Sequence, residues 1–315
     1  MIKNFINFVK EVPSTAKKTF KEWIAEDPFD KAAVVAYYSI FSLPALLIIL
    51  IAIAGTFFGK DAVQGQIVQQ ISSVIGKESA EAVQGMIANA YKAQASVLAT
   101  IIGIGTLLIG ATGVFIALQT GLNSIWDVKP NPQGSSIKRL IKVRALSFGL
   151  ILAIGFLLMV SLVVSTLLTA FSDWIMTLLP DFMIILFQII NNIISFLITT
   201  LLFGILFKYL PDAKIEWRSV WPGAAITSLL FTLAKFALSF YFGKAAPGST
   251  YGSAGAIILL LLWVSYSCLI LFFGAQFTQV YAAEHGHSIE PSPDAIQIEE
   301  VVKEVKPKKS SKKAA

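Results

Sequence analysis

The apolar residues of this chain fall into six long segments that short polar or charged stretches separate. Each segment is longer than the roughly 20 residues that a helix needs to cross about 30 Å of hydrocarbon. The segments lie at 34–58, 95–118, 145–170, 182–207, 219–243 and 254–277. This pattern predicts an all-α integral membrane protein, built as a six-transmembrane-helix bundle.

Composition supports a membrane location for the chain. Of its 315 residues, 56% are hydrophobic and 14% are charged, whereas a soluble domain is about one quarter charged. The first thirty residues lack the apolar core of a signal peptide, so we expect the N-terminus to be mature sequence. The single cysteine, Cys268, excludes an intramolecular disulfide.

The positions of lysine and arginine predict the orientation of the bundle. The N-terminal stretch, the loops 119–144 and 208–218 and the tail after residue 277 together carry twenty of these residues, and the alternate loops carry four. Because positive loops stay in the cytoplasm, both termini are predicted to be cytoplasmic. This topology accounts for the net charge of +6 without a nucleic-acid partner.

Three segments outside the spans have their own predicted structure. Residues 1–33 place Phe20, Trp23 and Ile24 on one helical face opposite lysines, which predicts cytoplasmic amphipathic helices in the membrane interface, with a frayed leader as the alternative. Within the membrane domain, 34–281, the loop 60–94 shows the same periodicity and predicts amphipathic helices that cap the outer face. The tail, 282–315, is highly charged and is predicted to be disordered.

The fifth segment contains a charge, Lys235, well inside the predicted bilayer. Counting residues along the helices places other polar groups at a similar depth, and they are Asn191, Asn192, Trp263 and Ser161. One interpretation is a polar cavity in which Lys235 attracts an anionic headgroup or solute. The other is a snorkelling lysine that asparagine oxygens hold for assembly alone.

The second segment carries small residues at alternating spacings of four and three. They are Ala99, Gly103, Thr106, Gly110, Gly113 and Ala117. Small residues along one line let a second helix approach closely, where dispersion replaces the hydrophobic drive that is missing in lipid. We interpret the line as a helix-packing seam rather than a substrate path.

Several motifs in a fixed order resemble those of the YihY or virulence factor BrkB family of bacterial inner-membrane proteins. They are DKAAVVAYYSIFSLPALLIIL, GATGVFIALQTGLNSIW, the dipeptide Leu210-Pro211 and YGSAGAIILLLLWVSYSCLILFFGAQFTQVY, between about residues 30 and 281. The resemblance implies a multi-pass protein of the inner membrane. The family usually has GAE near the end of its sixth span, where this chain has Gly274-Ala275-Gln276.

Members of that family often carry the label ribonuclease BN, and the residues here argue against this activity. RNA hydrolysis needs a metal on clustered carboxylates and histidines, or a paired acid and base. His285 and His287 are the only histidines, and two ligands are too few for a metal site. The sequence therefore predicts neither an enzyme nor a cofactor.

Two functions remain open at the level of sequence. The first is the export or translocation of a lipid-like or small anionic substrate, and the second is a non-transporting scaffold of the cell envelope. Membrane lipids, anionic ones among them, are the expected partners, and homo-oligomers are left open. The chain has no nucleotide-binding motif, so active transport would need a gradient or a partner.

Overall fold

The fold comes from a computed structural model that describes residues 2–75, 97–132, 181–245 and 255–298 apart from residue 288, with residue 149 and a few positions in 80–88. In these ranges the chain is mainly helical. The helices are α1 Ile2–Ala25, α2 Pro28–Phe58, α3 Lys60–Ile75, α4 Val97–Ile125, α5 Asp181–Tyr209, α6 Trp217–Ala245 and α7 Gly255–Glu284. The strands are β1 Val128–Pro130, β2 Ala213–Lys214, β3 Glu290–Pro291 and β4 Ala295–Gln297.

Five helices contain predicted spans, and three of these meet the length and hydropathy of a membrane span over Asn192–Tyr209, Trp217–Leu238 and Ile257–Glu284. These three correspond to the fourth, fifth and sixth predicted spans. The first two predicted spans lie within α2 and α4, where Ile109–Ile125 is apolar but shorter. The third predicted span, 145–170, lies outside the described residues.

The helix α2 begins at Pro28, six residues before the predicted span, because Asp27 and Pro28 favour the start of a helix there. Asp27 takes a left-handed conformation with φ of 46° and separates α2 from α1. Pro28 then occupies the first helical turn, where its fixed φ suits a helix and its missing N–H costs nothing. The helices α1 and α2 therefore meet at a two-residue turn.

The helices pack in the order α4, α2, α7, α6 and α5, with α1 against α7 and α3 against α2 and α6. Two apolar clusters lie among the described residues of the bundle. One joins Trp126, Phe207 and Phe272 near the strands. The other joins Ile51 and Leu259 at the opposite end and includes Ile67 and Val83 of the predicted outer loop.

The glycine seam of α4 lies partly against α2. A Cβ on Gly110 would lie 3.0 Å from the backbone nitrogen of Ser42, and one on Gly113 would collide with the ring of Tyr38. The backbones of these two helices therefore approach closely at Gly110. The side chains of Ala99, Thr106 and the surroundings of Gly103 lie outside the described residues.

Four short strands gather at one end of the bundle, which we call the strand end. The strand β1 pairs with β4, placing Val128 opposite Gln297, and β2 pairs with β3, placing Ala213 opposite Pro291. The C-terminal segment therefore crosses the loops that follow α4 and α5. This differs from the predicted tail: α7 continues to Glu284, and the chain is ordered from 289 to 298. Residues 299–315 lie outside the described part.

The predicted apolar face of α1 is exposed except at Trp23, and its placement in the membrane interface stays a prediction. Phe20 and Ile24 are exposed, but Trp23 is buried and meets Phe273 of α7 edge-on at 5.8 Å between ring centroids. The buried side of α1 consists of Thr15, Thr19 and Trp23. On this side the Thr15 hydroxyl donates to the Glu284 carboxylate of α7 at 2.7 Å, and the Thr19 hydroxyl donates to the Thr15 carbonyl within α1 at 2.7 Å.

Candidate functional site

Lys235 lies on an exposed, apolar face of α6. The neighbouring side chains Leu233, Phe236 and Phe240 are 56%, 68% and 64% exposed, and Lys235 is itself exposed. Within the described part of the chain, its ammonium makes no hydrogen bond or ion pair. A lysine on the lipid-facing surface of a span costs about 2.5–3.5 kcal/mol at the helix centre, so an external anion would relieve this cost.

The predicted neighbours of Lys235 are placed at a similar level on adjacent helices. The Ser228 hydroxyl of α6 donates to the Phe196 carbonyl of α5 at 3.2 Å, which fixes the relative height of these helices. Lys235 is seven residues beyond that contact and Asn192 four, so they lie roughly 10 Å and 6 Å further from the strand end. Asn192 is exposed.

Trp263 of α7 packs edge-on against Phe231 of α6, with ring centroids 5.8 Å apart. Phe231 precedes Lys235 by four residues, so the indole lies about one turn nearer the strand end than the ammonium. The described contacts do not join Lys235 directly to Asn192 or Trp263. The Asn191 side chain and Ser161 lie outside the described residues.

The strand end contains a buried polar network that the sequence did not predict. Asn123 of α4 accepts a hydrogen bond from the backbone N–H of Asp212 at 2.8 Å and donates to its carboxylate at 3.0 Å. Gln119 donates to the same carboxylate at 3.2 Å. Asn123 and Gln119 are 5% and 9% exposed. We call these three residues the Asp212 clasp, which fastens α4 to the turn after α5.

A second polar group joins the turn between α1 and α2 to the end of α4. The Lys31 ammonium lies 2.7 Å from the Glu26 carboxylate and donates to the Ser124 hydroxyl at 2.8 Å. Ser124 donates to the same carboxylate at 2.5 Å. The ammonium, the hydroxyl and one carboxylate oxygen of this half-buried group therefore pair with one another.

Gln276, at the position where the motif resemblance leads us to expect a glutamate, is 3% exposed and joins α7 to α1. Its amide nitrogen donates to the Glu22 carboxylate at 3.1 Å and to the Gln279 oxygen at 2.5 Å. Gln279 in turn donates to Asp127 at 3.3 Å. A glutamate at position 276 would face Glu22 with like charge, which the amide avoids. The buried Gln276 Oε1 has no hydrogen-bond partner within the described residues.

The two histidines have separate partners near the strand end. His285 lies 3.5 Å from the Glu11 carboxylate, and His287 shares a hydrogen bond of 2.8 Å with the Ser219 hydroxyl. Within the described ranges, no three His, Cys, Asp or Glu side chains are grouped to hold a metal.

These features define a class: a helical membrane protein whose described side chains form a polar, strand-linked end. The family model of virulence factor BrkB matches residues 19–298, so the chain belongs to that family. The resemblance drawn from the motifs is confirmed. No solved structure matches the chain.

Curated relatives carry names that describe a membrane location or a suspected activity. A UPF0761 membrane protein of Verminephrobacter eiseniae is 28% identical over 84% of this chain, and one of Saccharophagus degradans is 25% identical over 90%. The chain spans only 61% and 63% of the lengths of these two proteins. The ribonuclease-like protein YfkH of Bacillus subtilis is 27% identical over 84% of this chain, which covers 93% of YfkH.

Proposed function

We propose that this chain is a six-span protein of the bacterial inner membrane that translocates a lipid-like or anionic substrate, with both termini in the cytoplasm. The grouping of chain segments supports the orientation. The helix α1, the starts of the two basic loops and the segment after α7 meet at the strand end through the strand pairs and the contact of α1 with α7. Those segments are the ones rich in lysine and arginine.

The environment of Lys235 carries the proposal of an anionic substrate. Its ammonium has no partner in the described part of the chain and stands among exposed phenylalanine and leucine side chains. A charge that the described protein groups leave uncompensated favours a headgroup phosphate or another anion at this level. Asn192 on the adjacent helix adds an amide that can donate to the same anion.

A translocation assay with defined lipids tests this function. Full-length protein is reconstituted in phosphatidylcholine vesicles with a trace of fluorescent phosphatidylglycerol, and a membrane-impermeant reductant reports the fraction of probe that crosses. We expect faster crossing with the wild-type protein than with protein-free vesicles, and a loss of that gain with Lys235→Met.

Two controls make this assay specific. Lys235→Arg keeps the charge and should retain crossing of the probe, and fluorescent phosphatidylcholine should cross more slowly than phosphatidylglycerol. Crossing by Lys235→Met at the wild-type rate would remove Lys235 from the mechanism. If wild-type protein moves neither probe, the envelope scaffold becomes the better interpretation.

A further inference from the structure

A cluster of exposed aromatic and basic side chains surrounds the turn between α5 and α6. Tyr209 and Trp221 are 61% and 46% exposed. Trp217 lies between them, with ring centroids 6.2 Å from Tyr209 and 5.5 Å from Trp221. We call the five side chains of this surface, including Lys214 and Arg218, the interface patch.

The two basic residues of the interface patch have exposed side chains. Within the described residues, Lys214 and Arg218 make no hydrogen bond or ion pair through their side chains. Lys208, by contrast, donates to the backbone carbonyl of Ile215. Two carboxylates stand close to these cations, Glu216 on the same turn and Glu290 opposite Lys214 in the β2–β3 pair. Within the described residues neither carboxylate forms an ion pair with Lys214 or Arg218.

The spacing of aromatic residues along α6 places the patch at a membrane surface. Trp221 and Tyr241 are both exposed and are twenty residues apart, which corresponds to about 30 Å of helix, the thickness of the hydrocarbon core. Tryptophan and tyrosine are enriched at the two membrane interfaces. The patch therefore lies at headgroup level on the side of the strand end.

The turn that carries the patch is rigid. The Asp212 clasp holds it from α4, the contact of Lys208 with Ile215 closes it, and β2 pairs with β3. A rigid site loses less conformational entropy when a ligand binds than a flexible loop does. The basic residues and the indole rings thus belong to one turn and the first helical turns beside it.

From this arrangement, we propose that the interface patch binds the phosphate of an anionic phospholipid in the leaflet at the strand end. The Arg218 guanidinium and the Lys214 ammonium supply the charge, and the rings of Trp217, Trp221 and Tyr209 pack on the glycerol and upper acyl region. This site is independent of Lys235, which lies about 21 Å from Trp221 along α6. The proposal therefore goes beyond the proposed function.

Photo-crosslinking in vesicles tests the site directly. Full-length protein is reconstituted with a trace of phosphatidylglycerol that carries a photoreactive group near its headgroup, and labelled peptides are located by mass spectrometry. We expect labelling of 209–221, severalfold stronger than with the matching phosphatidylcholine probe. The double variant Lys214→Gln, Arg218→Gln should lose roughly tenfold or more of this labelling, since each basic residue near an anionic surface contributes about 1 kcal/mol.

A matched control removes the same charge elsewhere. The double variant Lys17→Gln, Lys21→Gln alters two exposed basic residues of α1 and should leave labelling of 209–221 unchanged. Equal labelling by both lipid probes, or an equal loss in both double variants, would overturn the proposal. Lys235→Met should not affect this labelling, so failure of the site and failure of translocation are distinguishable.

Discussion

Thr227 of α6 packs directly on Gly274 of α7, at the point where these helices cross. A Cβ on Gly274 would collide with the Thr227 hydroxyl and lie 2.8 Å from its Cβ. The relationship is reciprocal, because a Cβ on Gly223 of α6 would collide with Thr278 of α7. Each threonine also donates to the carbonyl of the glycine four residues before it, Thr227 to Gly223 and Thr278 to Gly274. The two glycines thus leave space for the two threonine side chains, so α6 and α7 approach closely at this crossing.

The first prediction concerns this crossing. Gly274→Ala should lower the unfolding free energy by about 1–3 kcal/mol, because the added methyl group has no space beside Thr227. Thermal unfolding of purified protein in detergent measures the effect. Gly65→Ala in α3 is the control, since a Cβ there meets nothing within 4 Å.

A compensating substitution distinguishes a local clash from a general loss of helix packing. The double variant Gly274→Ala, Thr227→Ala should recover part of the lost stability. Thr227→Ala removes the hydroxyl and the methyl group that would collide with the added Cβ. If the double variant is as unstable as the sum of both single variants, the interlocking at this crossing is not the cause.

A second prediction concerns the seam of α4. Gly110→Leu should reduce the amount of folded protein, because its side chain would force apart the backbones of α4 and α2, with Ser42 only 3.0 Å from the Cβ position. Size-exclusion chromatography of detergent extracts measures the folded fraction. Gly105→Leu on the same helix should be tolerated, as no atom lies within 4 Å of its Cβ. Similar yields for both variants would contradict the prediction.

The third prediction tests the Asp212 clasp. Asn123→Asp removes an amide donor and places a second carboxylate against Asp212, so the protein should lose about 1–3 kcal/mol of stability. The exchanged pair, Asn123→Asp with Asp212→Asn, keeps one donor opposite one acceptor and should recover part of the loss. Thermal unfolding of the four proteins gives the coupling energy. Additive effects of the two substitutions would show that the residues do not act as a pair.

These polar contacts show where sequence patterns stop being informative. Helix positions followed from the long apolar segments, since a helix that spans a membrane must satisfy its own backbone hydrogen bonds. The clasp joins residues 89 positions apart, and the bond between Gln276 and Glu22 joins residues 254 positions apart. Strands of two or three residues carry almost no periodic signal. The hydrogen-bond partners of the buried amides and the burial of Trp23 therefore follow from tertiary packing, which the sequence pattern does not show.

Orientation is the subject of the fourth prediction. In a Cys268→Ser background, a cysteine at Gln84 should react with a membrane-impermeant maleimide in intact cells, because loop 60–94 is predicted to face outward. A cysteine at the exposed Lys214 should react only after the cells are permeabilised. Reaction of the second site in intact cells would reverse the proposed topology.

The last prediction returns to Lys235 and separates a functional charge from one kept for assembly. Lys235→Met retains the length and apolar stem of the side chain and removes an ammonium that has no partner in the described residues. Insertion into lipid should then become easier, by up to the ~2.5–3.5 kcal/mol cost of a lysine at a helix centre. We expect protein level and melting temperature in detergent to equal or exceed those of wild type.

The control for this substitution is Ser228→Ala, which removes the hydroxyl that donates to Phe196 between α5 and α6. It should lower the melting temperature slightly, because a helix-to-helix hydrogen bond in a membrane protein is worth about 0.6 kcal/mol on average. A fall in stability with Lys235→Met larger than that of Ser228→Ala would mean that the lysine holds the bundle together. Lys235 would then serve assembly. An unchanged melting temperature together with lost translocation would instead mean that the Lys235 charge acts on the substrate.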